Sequence, residues 1–349
     1  MHAGRLKKVG SSDGPFASVY FEDVRNREDA RERFELEWRS MRNQLSKQGA
    51  SETLIARLDE VKDNHHGISG RAGRAIVATP EAVLIDDILL EPAGSTIATL
   101  GELPYLIPLI AHGYDTEPFL IAKVDHTGAD LCVRDARGRD VYGESVDGDG
   151  FPVHKAHVGG QERYTDSQSL VEENIRKNLA QAAERAASLA RERKVALVVV
   201  IGEVQSRKAF AQLLPSTLRV VDVEKGSRSV GSSPAEVSKS IRELIDTQRL
   251  RRMDSETERY VAEQGRDSGL SIDGTARVLD ALEQGKVETL LLTDPDDKEV
   301  TSGKLIGPAD RVLPTSQSGP EPNWYRSTNA WFSPTDTARS SGIPEHQAA

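Results

Sequence analysis

The sequence predicts an α/β protein of the α+β kind, built as three successive domains around mixed sheets. Three observations lead there. The chain has 349 residues, too many for one ordinary core and enough for two or three domains of about 100–150 residues. Short β-rich runs alternate with amphipathic helical stretches, and in the centre a cluster of strand-like runs precedes the alternation. Two breaks interrupt the pattern: Leu103–Ile110, carrying Pro104 and Pro108, and the Ser/Gly-rich stretch Gly226–Ser233. The expected division is residues 1–114, 115–264 and 265–349.

In the first domain Ala17–Phe21 is a short β-rich run. Phe34, Trp38, Met41 and Leu45 follow at spacings of one helical face, and Gly49 ends that helix. Ser51 is placed to cap a second helix whose apolar face is Leu54, Ile55, Leu58 and Val61. The glycine-punctuated stretch Asn64–Gly73 comes next, then strands at Ala75–Ala78 and Val83–Leu90.

The second domain opens with a meander: Phe119–Val124, Asp130–Asp135 and Asp140–Val146, joined at His126-Thr127-Gly128 and Ala136-Arg137-Gly138. A polar loop, Asp147–Tyr164, leads to a long helix with Thr165 and Gln168 at capping-box spacing and an apolar face of Val171, Ile175, Leu179, Ala182, Ala186 and Leu189. Val195–Ile201 is continuously apolar, as a strand buried on both faces should be. A helix (Arg207–Leu214) and a strand (Arg219–Val223) complete a ribonuclease H-like mixed sheet. Ser233-Pro234-Ala235-Glu236 then reads as cap, first-turn proline and capping-box glutamate of a helix reaching about Glu263. The third domain begins with a helix (Thr275–Gln284) ended by Gly285, followed by the strand Val287–Leu292. From Thr315 onward Pro, Ser, Gly and Thr dominate, and an extended or disordered tail is expected.

Composition narrows the function. No apolar run approaches the roughly 20 residues that span a bilayer, and the N-terminus has no apolar stretch behind Arg5, Lys7 and Lys8; no membrane contact and a cytoplasmic location are expected. The single cysteine, Cys132, rules out an internal disulfide framework and cysteine-based zinc. A net charge of −10 excludes a uniformly basic nucleic-acid coat but allows local basic surfaces.

Two loops provide such surfaces. The first holds His65, His66, Gly67, Arg71 and Arg74, with glycines at 67, 70 and 73. Glycine lets backbone approach phosphate, arginine binds it bidentately, and histidine can stack on bases. The bland alternative is a glycine loop with solvated arginines. The second loop holds His154, Lys155, His157, Gly159, Gly160, Gln161 and Arg163, a positive segment with two adjacent glycines that could thread an RNA-lined channel. Its bland alternative is a surface hairpin. His154 and His157 lack a third ligand at suitable spacing, so no metal and no cofactor is expected. Asp294-Pro295-Asp296-Asp297 resembles the start of a calcium loop, but Glu299 and Leu305 stand where such a loop needs glycine and a bidentate glutamate. Arg249, Arg251 and Arg252 form a basic knot that could face rRNA or a partner, though such a knot is usually only a solvated helix face.

Gly159-Gly160-Gln161, after a meander and before a long helix, resembles the catalytic tripeptide of the archaeo-eukaryotic class 1 peptide release factors. The segment from Val278 to Leu291 is similar to the opening of that family's third domain, an L7Ae-like fold. Domain order and size agree over roughly residues 15–313, and the bacterial branch, which includes ribosome hibernation factors, is the nearest match. The resemblance implies a monomer that enters the ribosomal A site. Its first loop would meet small-subunit rRNA at the decoding centre, its second large-subunit rRNA near the peptidyl transferase centre, and EF-Tu is the candidate delivering GTPase. Stop-codon readers of the family carry an Asn-Ile-Lys-Ser loop and a Tyr-x-Cys-x-x-x-Phe motif in the first domain; neither is present, and Asn174-Ile175-Arg176-Lys177 falls on the long helix instead. Two readings follow: a non-enzymatic hibernation factor occupying a vacant A site, or a codon-independent peptidyl-tRNA hydrolase in which Gln161 helps place water at the ester. A scaffold unrelated to ribosomes would require both basic loops to be incidental.

Overall fold

Strand β1 (Phe16–Asp23) is the centre of the N-terminal sheet, and its alternation explains the layers on either side. The computed structural model describes residues 9, 12–23, 30–64, 72–113, 117–148, 161–223, 228, 234–266, 268–292, 298–316 and 323–326, with backbone alone at 30, 161–170, 234, 235 and 323–326. β1 pairs antiparallel with β2 (Ala72–Ala78) and with β4 (Ile97–Gly101), and β3 (Val83–Leu89) joins the far side of β2. The edge strand β4 was not expected from the sequence, because its five residues have no apolar run long enough to stand out.

Ala17, Val19 and Phe21 point to one face, where α1 (Ala30–Lys47) and α2 (Glu52–Val61) cover them with Trp38, Met41, Leu45, Leu54 and Leu58. The expected helical face is therefore the packed one. Gly49 ends α1 at φ +96°, a conformation that disfavours any side chain. The Ser51 hydroxyl accepts from the Leu54 amide at 3.3 Å and caps α2 as expected. Trp38 donates its indole N–H to Asp59 at 2.7 Å, which satisfies the one polar atom of a buried ring.

Phe16 and Tyr20 point to the opposite face, which α3 (Ile107–His112) and the C-terminal part of the chain cover. That part consists of α7 (Thr275–Glu283), β10 (Thr289–Leu292), a hairpin of β11 (Glu299–Ser302) and β12 (Leu305–Pro308), and α8 (Ala309–Thr315). Leu279, Leu282, Leu290, Leu292, Val312 and Leu313 share one apolar cluster with Phe16, Tyr20, Val77, Leu89 and Ile110. Arg311 reinforces the joint by donating to the Leu103 carbonyl at 3.1 Å and the Thr99 hydroxyl at 2.7 Å. Of the tail expected to be extended or disordered, residues 323–326 are described: β13 (Asn323–Arg326) pairs in parallel with β10.

The middle sheet has the order β7-β6-β5-β8-β9. Its strands are β5 (Phe119–Val124), β6 (Gly128–Arg134), β7 (Asp140–Asp147), β8 (Leu197–Gly202) and β9 (Arg219–Val223). The meander β5–β7 is antiparallel, while β8 and β9 run parallel to β5, which is the mixed arrangement expected. α4 (Gln161–Glu192) and α5 (Val204–Leu213) cover one face, packing Leu179, Ala182, Ala186, Leu189 and Phe210 on Leu120, Ala122 and Val198. α6 (Pro234–Arg266) covers the other with Val237, Ile241 and Ile245, each worth about 1.5–3 kcal/mol on full burial. Ala72 and Ile88 of the first sheet, and Leu90 just after β3, join that same cluster.

Candidate nucleic-acid interface

The two basic loops leave the framework at well-defined roots. His65, His66, Gly67 and Arg71 lie outside the described residues, but both ends of their loop are placed. On one side α2 runs out at Val61 and Lys62; on the other β2 begins at Ala72. Arg74 ties the two together. Its side chain is 1 % exposed, its Nε and Nη2 donate to the two Asp86 oxygens at 2.8 and 3.1 Å, and its Nη1 donates to the Lys62 carbonyl at 2.8 Å. Nη2 also donates to the Val61 carbonyl. These are carbonyls at the end of α2, which have no partner inside the helix, and a cation beside them also meets the negative end of the helix dipole. Asn64 adds a bond from Nδ2 to Asp86 at 3.2 Å.

This corrects the expectation for Arg74. A guanidinium buried in this fork cannot reach an RNA phosphate; it shapes the root of the loop that carries Arg71. Sequence alone does not betray this role, since an arginine beside glycines looks solvated and its partner Asp86 lies twelve residues away on another strand.

Of the second loop, His154, Lys155, His157, Gly159 and Gly160 lie outside the described residues. Gln161 is the first residue of α4 and Arg163 lies in its first turn, so the helix begins one turn before the cap expected at Thr165. Ile175 of α4 packs against the sheet's core, and at 1.5 Å per residue Gln161 stands about 20 Å before it along the helix axis. Gln161 thus stands at the N-terminal end of α4, next to backbone N–H groups that no helical carbonyl satisfies.

The loop's other end is β7, and it is secured by the turn between β5 and β6. Gly148 donates its N–H to the Thr127 carbonyl at 2.9 Å, and Asn178 of α4 donates to the His126 carbonyl at 3.3 Å. Gly148 lies so close to Asn178 that an added Cβ would come within 1.8 Å of its Oδ1, so glycine is required for this approach. The turn itself is held by Asp125, which accepts from the Thr127 amide at 2.7 Å, the Thr127 hydroxyl at 2.6 Å and the Gly128 amide at 3.0 Å. Burial pushes the Asp125 carboxyl up, but the Thr127 bonds and the Arg228 charge outweigh it and hold its pKa below the usual aspartate value. Asn178, Asp125 and Gly148 carry no sequence signal of this role; only the folded meander brings them together.

The basic knot on α6 is mixed. Arg249 pairs with Asp246 at 3.4 Å, while Arg251 and Arg252 are exposed. Cys132 is half-buried on β6, its thiol pushed up to about 12 by burial and by neighbouring Asp140. The segment Asp294–Asp297 lies outside the described residues. Among the described residues no group of three or more His, Cys, Asp or Glu could hold a metal ion, and no helix is long and apolar enough to cross a membrane.

A mixed sheet whose long helix starts at the glutamine of a Gly-Gly-Gln sequence has the arrangement expected of a release-factor-like protein. Residues 118–266 match the family model described as bacterial archaeo-eukaryotic release factor family 2. Two uncharacterized proteins of Mycobacterium tuberculosis, MT2704 and Rv2629, are each 35 % identical over 306 residues, covering 87 % of this chain and 81 % of theirs. The chain belongs to the bacterial archaeo-eukaryotic release factor family. Solved structures of an archaeal translation termination factor, aRF1 (15 % identity, 94 % of this chain and 91 % of that chain, TM-score 0.25), and of ribosome-bound archaeal Pelota with ABCE1 (14 % identity, 84 % and 80 %, TM-score 0.31) are similar only loosely as whole chains.

Proposed function

We propose that this protein is a ribosome-binding hibernation or stress factor that occupies the vacant A site of the bacterial ribosome without reading a stop codon. The observation that carries the reading is the Gly159-Gly160-Gln161 tripeptide at the mouth of α4 in a chain of release-factor family, combined with a first domain lacking both stop-codon motifs. The loop of His65, His66, Gly67 and Arg71 would contact small-subunit rRNA. That of His154, Lys155, His157, Gly159, Gly160, Gln161 and Arg163 would face large-subunit rRNA near the peptidyl transferase centre. The protein would act as a monomer in the cytoplasm, with EF-Tu as the delivering GTPase.

The test is co-sedimentation with vacant ribosomes and with ribosomes whose A site holds tRNA. Binding to vacant particles that disappears when tRNA is present is the expected result; equal binding to both, or to neither, rejects A-site occupancy. A second reading, codon-independent peptidyl-tRNA hydrolysis, is favoured by the placement of Gln161 at a helix N-terminus, where backbone dipoles can stabilise developing negative charge. Release of peptide from peptidyl-tRNA that Gln161→Ala abolishes would establish it. Ribosome protection that survives Gln161→Ala, with no release by the parent protein, would exclude it.

A further inference from the structure

One side chain ties the end of the second loop's strand to the connection between β9 and α6. Arg228 lies in the Ser/Gly-rich stretch between those elements, yet its side chain is only 10 % exposed. Its guanidinium donates to five acceptors on three neighbouring pieces of the meander. Nη1 reaches Asp125 at 3.2 Å and the Thr127 hydroxyl at 2.8 Å in the β5–β6 turn. Nε reaches Asp130 on β6 at 3.0 Å, and Nη2 reaches the Ser145 hydroxyl at 2.9 Å and Asp147 at 2.5 Å on β7. Asp147 is the last residue of β7, and Gly148, the residue after it, hydrogen-bonds the Thr127 carbonyl.

The geometry is specific to arginine. Five directed N–H groups in a plane match five acceptors, whereas a lysine ammonium could satisfy at most three. Three carboxylates also surround this guanidinium, and like charges so close would separate the turn from the β7 end without it. Because Asn178 of α4 bonds the same turn, the departure from β7 and the helix that the loop re-enters are referred to one fixed point.

We infer that Arg228 is a positioning residue: it locks the strand end and turn from which the Gly-Gly-Gln loop departs, and so sets where that loop is presented to its RNA partner. The inference rests on the proposed ribosomal function for its last clause only; the lock itself is a property of the free protein.

Hydrogen exchange by mass spectrometry on the free, full-length protein tests the lock. Arg228→Ala is expected to speed exchange in peptides spanning residues 125–130 and 146–160 by about tenfold, the scale for losing charge-assisted bonds that oppose a local opening. Exchange in β8 should stay as in the parent. Asp147→Asn, which alters an exposed partner and carries little folding risk, should speed the 146–160 peptides by a smaller factor, and Arg228→Lys should fall between parent and alanine. Unchanged exchange at 146–160 in both Arg228→Ala and Asp147→Asn would overturn the inference, and so would uniform acceleration that includes β8. On ribosomes, Arg228→Ala should still co-sediment with vacant particles while its chemical footprint on large-subunit rRNA weakens. A footprint equal to the parent's would refute the presenting role. Failure of the parent protein to bind ribosomes would refute the ribosomal reading and leave the exchange result standing.

Discussion

Replacing Arg74 by alanine should destabilise the protein severely without any change at a ligand-contacting surface. The guanidinium is 1 % exposed and Asp86 14 % exposed, so truncation strips a largely buried carboxylate of its ion-pair partner and takes a donor from the carbonyls of Val61 and Lys62. Breaking a buried pair by removing one partner costs about 3–5 kcal/mol, because the surviving charge stays desolvated. The Phe21 ring, 5.9 Å from the guanidinium, loses a packing neighbour as well. At about 2–4 °C per kcal/mol for a domain of some 200 residues, Tm should fall by roughly 10 °C. Differential scanning calorimetry measures this directly. Arg71→Ala is the control: it should leave Tm alone while lowering the salt dependence of ribosome association by about one counterion, if Arg71 is a phosphate contact. A Tm within about 2 °C of the parent's for Arg74→Ala would refute the buried fork, on the same scale of degrees per kcal/mol.

Three further outcomes are expected. Cys132 should resist alkylation by iodoacetamide at pH 8 in the native protein and react at once in denaturant, since a thiol with a pKa near 12 holds almost no thiolate there; rapid native labelling would contradict its burial. Arg311→Ala should cost about 2–3 kcal/mol by denaturant unfolding, through lost charge-assisted bonds to Leu103 and Thr99, and should speed exchange of the β4 amides; unaltered β4 exchange would mean that α8 does not hold that edge. Asp125 binds protons less readily folded than unfolded, so its stabilising effect is complete above the ordinary aspartate range and fades as pH falls through its depressed value. Asp125→Asn should therefore flatten the acid limb of the stability curve, and an unchanged limb would show that Asp125 contributes nothing to it.

What could be read from the chain were features encoded locally. The spacing of Phe34, Trp38, Met41 and Leu45, the cap at Ser51 and the run Val195–Ile201 each carry their structure within a few residues, and each appears where expected, the last as β8 from Leu197. The meander followed by alternation fixed the mixed sheet for the same reason. What escaped notice depends on partners distant in sequence. Arg74 and Arg228 both sit in glycine-rich surroundings that look solvated, and only the fold supplies Asp86 to one and a ring of carboxylates to the other. β4 and β13 are short strands whose pairing partners, β1 and β10, lie far back along the chain. Of the site, the tripeptide and the basic loops were visible as composition, whereas the side chains that anchor their roots were not.

The apolar face of the first sheet is completed by residues 279–313, which has a consequence for synthesis. When translation has passed Ile110, Phe16, Tyr20, Val77 and Leu89 have no cover from α7, β10 or α8, because those elements do not yet exist. At about 5–20 residues per second the cover arrives roughly 10–40 s later. During that interval the nascent chain displays a sticky surface beside a finished helical layer, so holdase chaperones would find it there, and a ribosome stalled in the middle of the message would leave it unprotected.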